Sequence, residues 1–232
     1  RCVAGIIGVT DEITRRMLKH SSATPHFTFS NGIDAARFAF TGFRPYRAGP
    51  LTVLFVANTF SPWHGVDRLI RSLKAYEGTT EVILNLVGNP DTDTLSIAED
   101  CTNPRVRINF LGRCFGDTLD GCFRDANIAV STLALHRNTM TQACPLKSRE
   151  YMARGIPFVY AYTDPDLPAE CQFALKCAND DTLVDINRIV EFAAECARIP
   201  DLSRQMRKFA EARLSWEAKM EQLNNFIDSL PP

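Results

Sequence analysis

Apolar positions along the chain fall into short runs, and the spacing between them alternates between two periods. Val3 to Val9 is a β-branched, apolar run that fits a buried strand. Thr10 offers a helix cap, Asp11 and Glu12 suit a first turn, and a helix to about His20 is predicted. His26 to Ser30 alternates at period two and stops at the turn signal Asn31-Gly32. Residues 39–50, rich in Gly, Pro, Arg and aromatics, read as a connecting loop. Strands are then predicted at Leu51 to Ala57, Val82 to Val87, Val106 to Leu111, Ile128 to Ser131, Pro157 to Tyr160 and, more briefly, Phe173 to Lys176. Helices are predicted between them, from about Gly65 to Tyr76, more loosely over 91–101, from Leu119 to Arg124, from about Pro145 to Arg154 and from about Asp181 to Ala197. A final amphipathic stretch spans 201–230.

Strands alternating with helices build a parallel sheet covered on both faces, an α/β fold of the Rossmann-like kind. Ligands of such sheets sit at the carboxyl ends of the strands, near a topological switch point. The loops 57–65, 87–91, 111–119 and 131–147 are therefore the places to seek a site.

Composition narrows the function classes. A length of 232 residues suits one large or two small domains, and 45% hydrophobic residues suffice for a full core. Lys and Arg number 26 against 27 Asp and Glu, a formal net charge of -1, so broad nucleic-acid binding is excluded and any anion must be gripped locally. The eight cysteines form no C-x-x-C pair and stand at no zinc spacing with the four histidines. Reduced core thiols in a cytoplasmic protein are expected, and no metal. No apolar run approaches the roughly 20 residues of a membrane span, and no signal peptide is visible. The chain opens at Arg1 on an apolar run and reads as an excised fragment.

Cys144 to Pro157 holds the most chemistry. Pro145 suits a first helical position, Gly155 a left-handed C-terminal cap, and Pro157 stops continuation. The start of this helix faces the ligand edge of the sheet, where the free N–H groups of Leu146 and Lys147 and the helix dipole favour an anion. Lys147 sits against the dipole there, an unfavourable place unless an anion is near. Glu150, one turn further on the same side, suits a ribose diol. The competing reading is a solvated face of Lys147, Arg149, Glu150 and Arg154.

This helix resembles the "EYMA-x-G-x-P" signature of family 4 glycosyltransferases, and other stretches match in the same order. Phe29 to Asp34 resembles the "PNGID" hinge between two domains, and Phe55 to Leu69 resembles "VGR-x4-KG-x-D-x-LI". Leu86 to Pro90 resembles "LVG-x-GP", Val106 to Gly112 resembles "V-x-FLG", and Ser215-Trp216 resembles the "SW" before a terminal helix. The wording WHG-x-DRLI, LK-x-REY and RG-x-PF is most similar to a subgroup of capsule and exopolysaccharide assembly.

The resemblance implies a GT-B fold of two Rossmann-like domains facing a cleft. Residues 34–214 would be the nucleotide-sugar-binding domain, 1–33 the end of the acceptor domain with the hinge, and 215–232 a helix returning to that domain. It implies a UDP- or GDP-linked sugar donor, no further cofactor, and transfer to an acceptor hydroxyl with retention, the fragment alone being inactive. The acceptor would be a glycan or glycolipid held by the missing N-terminal domain, and the whole protein would associate peripherally with the inner face of a membrane. By the same resemblance Glu150 would hold the ribose, Leu146 and Lys147 the diphosphate, Gly88 would allow close backbone approach, and Gly112 with Arg113 would flank the base.

Five positions depart from the family pattern. Thr59 and His64 stand where an Arg and a Lys usually grip the diphosphate, so Arg68, Arg137 or Lys147 is expected to supply the charge. Gln142 stands at the sugar-contacting position of the first of two Glu residues and brings no charge to a cationic transition state. Ala143 and Pro145 replace glycines. No catalytic residue is therefore assigned.

Taken singly, His64 fits either a ligand contact or a cap on the following helix, and Arg137 either the diphosphate or an ordinary loop. Trp63 suits packing, Asp67 and Arg68 an exposed helix pair, Cys144 a small apolar role, and Asp164 and Asp166 a Pro-rich turn. Two rival functions share the fold, a GT-B-type sugar-nucleotide epimerase and a non-catalytic interaction domain. A dinucleotide oxidoreductase is disfavoured, because no G-x-G-x-x-G follows the strands.

Overall fold

The computed structural model describes residues 3–19 and 23–230; Cys2 and the His20 end of the first predicted helix lie outside them. Two sheets are present. The smaller pairs β1 (Ile6–Gly8) in parallel with β2 (His26–Thr28) across helix α1 (Asp11–Leu18). The larger contains β3 (Leu51–Thr59), β4 (Val82–Asn89), β5 (Val106–Gly112), β6 (Ile128–Val130), β7 (Phe158–Tyr160) and β8 (Ala174–Lys176). Its order is β5-β4-β3-β6-β7-β8, with every pairing parallel.

Such an order reverses direction between β3 and β6, and this is the switch point where the strand ends splay apart. The burial of β3 records it. Leu51 to Phe55 are buried, whereas Val56 to Thr59 open progressively toward the carboxyl edge. At the same edge Gly88 adopts φ 128, and a Cβ there would lie 1.7 Å from the Ala57 carbonyl oxygen. Only glycine allows β4 to pass so close to β3.

Helices α2 (Val66–Lys74), α3 (Thr92–Glu99), α4 (Gly116–Asp125), α5 (Leu146–Arg154), α6 (Ile186–Cys196), α7 (Leu202–Phe209) and α8 (Trp216–Asp228) complete the fold. Several boundaries differ from the sequence reading, four of them by what caps or divides a helix. Helix α4 begins before Leu119, at Gly116. Helix α6 begins only after Asp185, whose side chain caps it by accepting from Arg188 N–H. Pro145 is the cap of α5 rather than its first residue. The stretch 201–230 is two helices, separated by a wide turn over 210–214 and by Ser215, which caps α8. Helix α8 leans back on the first 30 residues, with Phe226 stacked on Phe27 at 5.4 Å and Trp216 at 6.1 Å from Phe29. Among the described residues the seven cysteines are free thiols, and no helix is long and apolar enough to cross a membrane.

Asp164 makes the turn contact that the sequence suggested, accepting from Asp166 N–H at 3.1 Å, but both carboxylates also serve a buried ion-pair cluster. Arg149, 0% exposed, donates to both oxygens of Asp164 at 2.6 and 2.9 Å, to Asp166 at 2.6 Å, and to the Asn31 carbonyl at 3.1 Å. Lys219 of α8 completes the cluster, reaching Asp166 at 3.0 Å and Ser30 at 2.5 Å. Removing one partner of a buried pair strands the other charge. Arg149→Met is therefore expected to destabilise the fold by about 3–5 kcal/mol in urea unfolding. A loss below about 1 kcal/mol would mean that the cluster is solvated.

Candidate functional site

Helix α5 is short, and its orientation is set by the side chains it buries. Beside Arg149, the Ser148 hydroxyl contacts the hydroxyls of Ser131 and Tyr162, and the Tyr151 hydroxyl donates to the Val130 carbonyl at 3.0 Å. These contacts pin α5 against β6 and the chain after β7. They leave the turn containing Leu146 and Lys147, and the side chain of Glu150, facing a cavity of about 1000 Å3. The cavity opens where β3 and β4 end, and its walls also include His64, Gly88 and Arg113. Within α5 the first intrahelical bonds run from Ser148 N–H and Arg149 N–H to the Pro145 carbonyl. The N–H groups of Leu146 and Lys147 precede them and point outward from the helix start.

Lys147 is not a mobile surface charge. Its stem is partly covered, and Nζ is buried without a hydrogen-bond partner. The ammonium stands 4.4 Å from the Phe55 ring centroid and 6.0 Å from that of Trp63, contacts that offer no acceptor. Burial brings its pKa down to about 7. His64, 6% exposed, caps its own turn, since its Nδ1 accepts from Ser61 N–H at 3.0 Å. Burial first, and the charge of Lys147 second, bring the imidazole down to about 3. A neutral ring accepting at Nδ1 holds its proton on Nε2, which makes His64 a hydrogen-bond donor. Glu150 accepts from Arg154 Nε at 2.7 Å, and Arg154 in turn pairs with Asp120 at 2.6 Å and lies 4.4 Å over the Phe123 ring. Its carboxylate is thus held in place at the cavity wall.

The remaining residues singled out in the sequence divide sharply. Gly88 and Thr59 line the cavity, although the close approach that Gly88 permits is to Ala57. Gly112 ends β5 in left-handed backbone (φ 66) and passes the chain to Arg113. With its amide oxygen turned toward that guanidinium, Asn89 accepts from Arg113 Nη2 at 3.1 Å and Nε at 3.2 Å.

Four side chains are engaged elsewhere. Arg68 is buried rather than exposed and donates to the carbonyls of Leu133, Ala178 and Thr182. Arg137 is tied to Asp67 at 2.7 Å and to Asp181 at 2.6 Å, and hydrogen bonding to Asp67 holds its pKa above the ordinary value. Asp67 therefore pairs with Arg137 and Arg71, not with Arg68. Gln142 is drawn to α1, its Oε1 accepting from Glu12 N–H at 3.0 Å, while the Glu12 carboxylate accepts from Thr141 and Gln142 N–H. Cys144 is buried, with Sγ donating to the Val9 carbonyl at 3.3 Å.

Sequence reasoning did not single out Asp34, Arg37, Phe115 or Trp216, all of which line the cavity. A usable signal existed for Arg37: Asp34 caps the short turn 35–37 by accepting from Ala36 N–H, and that turn presents the residue three positions on. Among the described residues no group of three or more His, Cys, Asp or Glu side chains is placed to hold a metal ion.

Comparison with known proteins follows the same lines. Residues 50–200 match the family model described as glycosyl transferases group 1. No curated protein matches the chain by sequence. In fold the chain is similar to sucrose-phosphate synthase from Thermosynechococcus elongatus, at 17% identity and a TM-score of 0.65, covering 97% of this chain and 57% of that one. It is similar to HepE from Anabaena in complex with UDP-glucose, at 13% identity and a TM-score of 0.64, covering 99% and 65%. A third is the lipopolysaccharide outer core galactosyltransferase WaaB in its apo form, at 15% identity and a TM-score of 0.67, covering 96% and 61%. The chain thus spans less than two thirds of each of these structures. It shares with them the α/β fold of GT-B glycosyltransferases.

The His64 geometry has a direct spectroscopic consequence. Its imidazole is expected to remain neutral, protonated at Nε2, throughout pH 5–8 in nitrogen-detected NMR. Since the folded pKa lies below the unfolded one, His64 stabilises the fold above pH 6.5 and loses that contribution as pH falls toward about 3. A titration midpoint near 6.5 would contradict the buried, donor-oriented ring.

Proposed function

The chain belongs to the group 1 glycosyl transferases, and on that premise we propose that its cavity binds a nucleoside-diphosphate sugar. The observation that carries this reading is the start of α5, a helix N-terminus beside a buried ammonium without a partner, at the switch point of a parallel sheet. An anion is the ligand that such a place lacks. The diphosphate lies against the N–H groups of Leu146 and Lys147, with Lys147 Nζ and His64 Nε2–H as side-chain donors. The ribose diol hydrogen-bonds Glu150, whose position is fixed by Arg154, and the base extends toward Arg113. Residues 34–214 form the donor half, while 1–33 and 215–232 belong with the acceptor half.

In the whole protein the sugar passes to the hydroxyl of a glycan or glycolipid acceptor, in polysaccharide or glycoconjugate synthesis at the cytoplasmic face of a membrane. The bond between the anomeric carbon and the donor phosphate breaks, and the leaving diphosphate gathers negative charge. The helix start, Lys147 and His64 stabilise that charge where it develops. Retention of configuration follows the family resemblance. One observation favours a second reading, a domain that binds donor without transferring it: Gln142 is held against Glu12, away from the cavity walls. Full-length protein that binds donor but never hydrolyses or transfers it would select that reading.

Titration calorimetry with UDP and GDP tests the donor site. Binding of one of them is expected, and Glu150→Ala should weaken it by about 1–3 kcal/mol, the cost of losing a buried polar partner. No heat with either nucleotide at millimolar concentration would contradict the site. Unchanged affinity in the variant would place Glu150 outside it.

A further inference from the structure

The free cavity holds an amine in a place that suits an ammonium only when filled. Lys147 Nζ has three potential donors and no hydrogen-bond partner, and its neighbours are the faces of Phe55 and Trp63. His64, which feels the charge of Lys147, cannot serve as acceptor, because its Nδ1 is already occupied by Ser61 N–H. A buried ammonium without acceptors loses its hydration and gains little in return. Entry of a diphosphate reverses this, because its oxygens supply both acceptors and negative charge.

We propose that one proton enters the site with the diphosphate, and that Lys147 Nζ carries it. This rests on the donor-site reading above and adds a charge state to it. In the free protein, burial sets the amine near its midpoint at about pH 7. Phosphate oxygens at hydrogen-bond distance favour the charged form and restore a value near ~10, as in water. Between these limits each bound diphosphate draws a proton from solvent, so affinity falls about tenfold per pH unit from roughly pH 7.5 to 9. The terminal phosphate of free UDP, titrating near ~6, is already dianionic in that window.

Other groups facing the cavity are Asp34 and Arg37 from the turn before β3, Arg113 and Cys114 after β5, and Glu150 on α5. Asp34 is engaged by Ala36 N–H and Glu150 by Arg154. Cys114 brings an ionisable thiol to the same cavity, so Cys114→Ser separates thiol from amine.

The test is calorimetry of UDP binding, or of GDP if that is the nucleotide bound, at pH 8.5 in two buffers of different protonation heat, such as Tris and TAPS. Close to one proton taken up per nucleotide is expected for the unaltered chain and for Cys114→Ser. Lys147→Arg, charged throughout, should bind without uptake and with affinity flat between pH 7.5 and 9. Lys147→Met should bind more weakly at pH 7.5, again without uptake. Nucleotide binding without proton uptake in the unaltered chain, or uptake that persists in either Lys147 variant, would overturn the inference and leave the donor site standing. Failure of both nucleotides to bind at any pH would instead overturn the donor site itself.

Discussion

Arg149 has no contact with water, and its guanidinium is shared among Asp164, Asp166 and the carbonyl of Asn31. The arrangement ties three separate parts of the chain to one helix: the segment after β7, the residues following β2, and through Asp166 the helix α8. Helix α5 can therefore rotate very little. Side chains three and four apart share a helix face, so Leu146, Lys147 and Glu150 present together to the cavity while Arg149 is held on the inner side. The site thus inherits its geometry from an ion-pair cluster that lies outside the cavity lining. Such a cluster contributes less net stability than its short distances suggest, since both charges lose water. Its consequence is orientation.

The cavity turns that orientation into electrostatics. Its floor brings together a helix start, a buried amine and a neutral imidazole that donates at Nε2, all on the same edge of the sheet. Two arginines that could have supplied positive charge are occupied, Arg68 by carbonyls and Arg137 by Asp67 and Asp181. Among the described cationic side chains that line the cavity, Arg37 and Arg113 are exposed and Lys147 has its charged end buried, and this is why its protonation matters for an anion. One turn further along α5 the cavity wall is supported by the Glu150–Arg154–Asp120 chain, with Arg154 lying over the Phe123 ring.

The α/β alternation, the six parallel strands and the edge at which the cavity opens were legible in the sequence, because apolar periodicity and turn residues report local structure directly. The ends of α5 were nearly legible, for Gly155 and Pro157 punctuate it, and only Pro145 lay one position off. Which way a charged helical residue points was not legible. Arg149 and Arg68 look like ordinary solvated positions until their acceptors are known, and these are carboxylates and loop carbonyls distant in the chain. Gln142 met the same limit: its partner is Glu12, 130 residues away. Asp34 and Trp216 reach the cavity from segments read as a hinge and as the start of a terminal helix, and no periodicity within either marks a ligand wall.

A crystal structure of the chain with a bound nucleoside-diphosphate sugar tests the central claim most directly. The account predicts diphosphate oxygens within about 2.7–3.2 Å of Lys147 Nζ and of the N–H groups opening α5, with the ribose on Glu150. A donor lodged elsewhere on the molecule, with that helix start and amine left untouched, would contradict it.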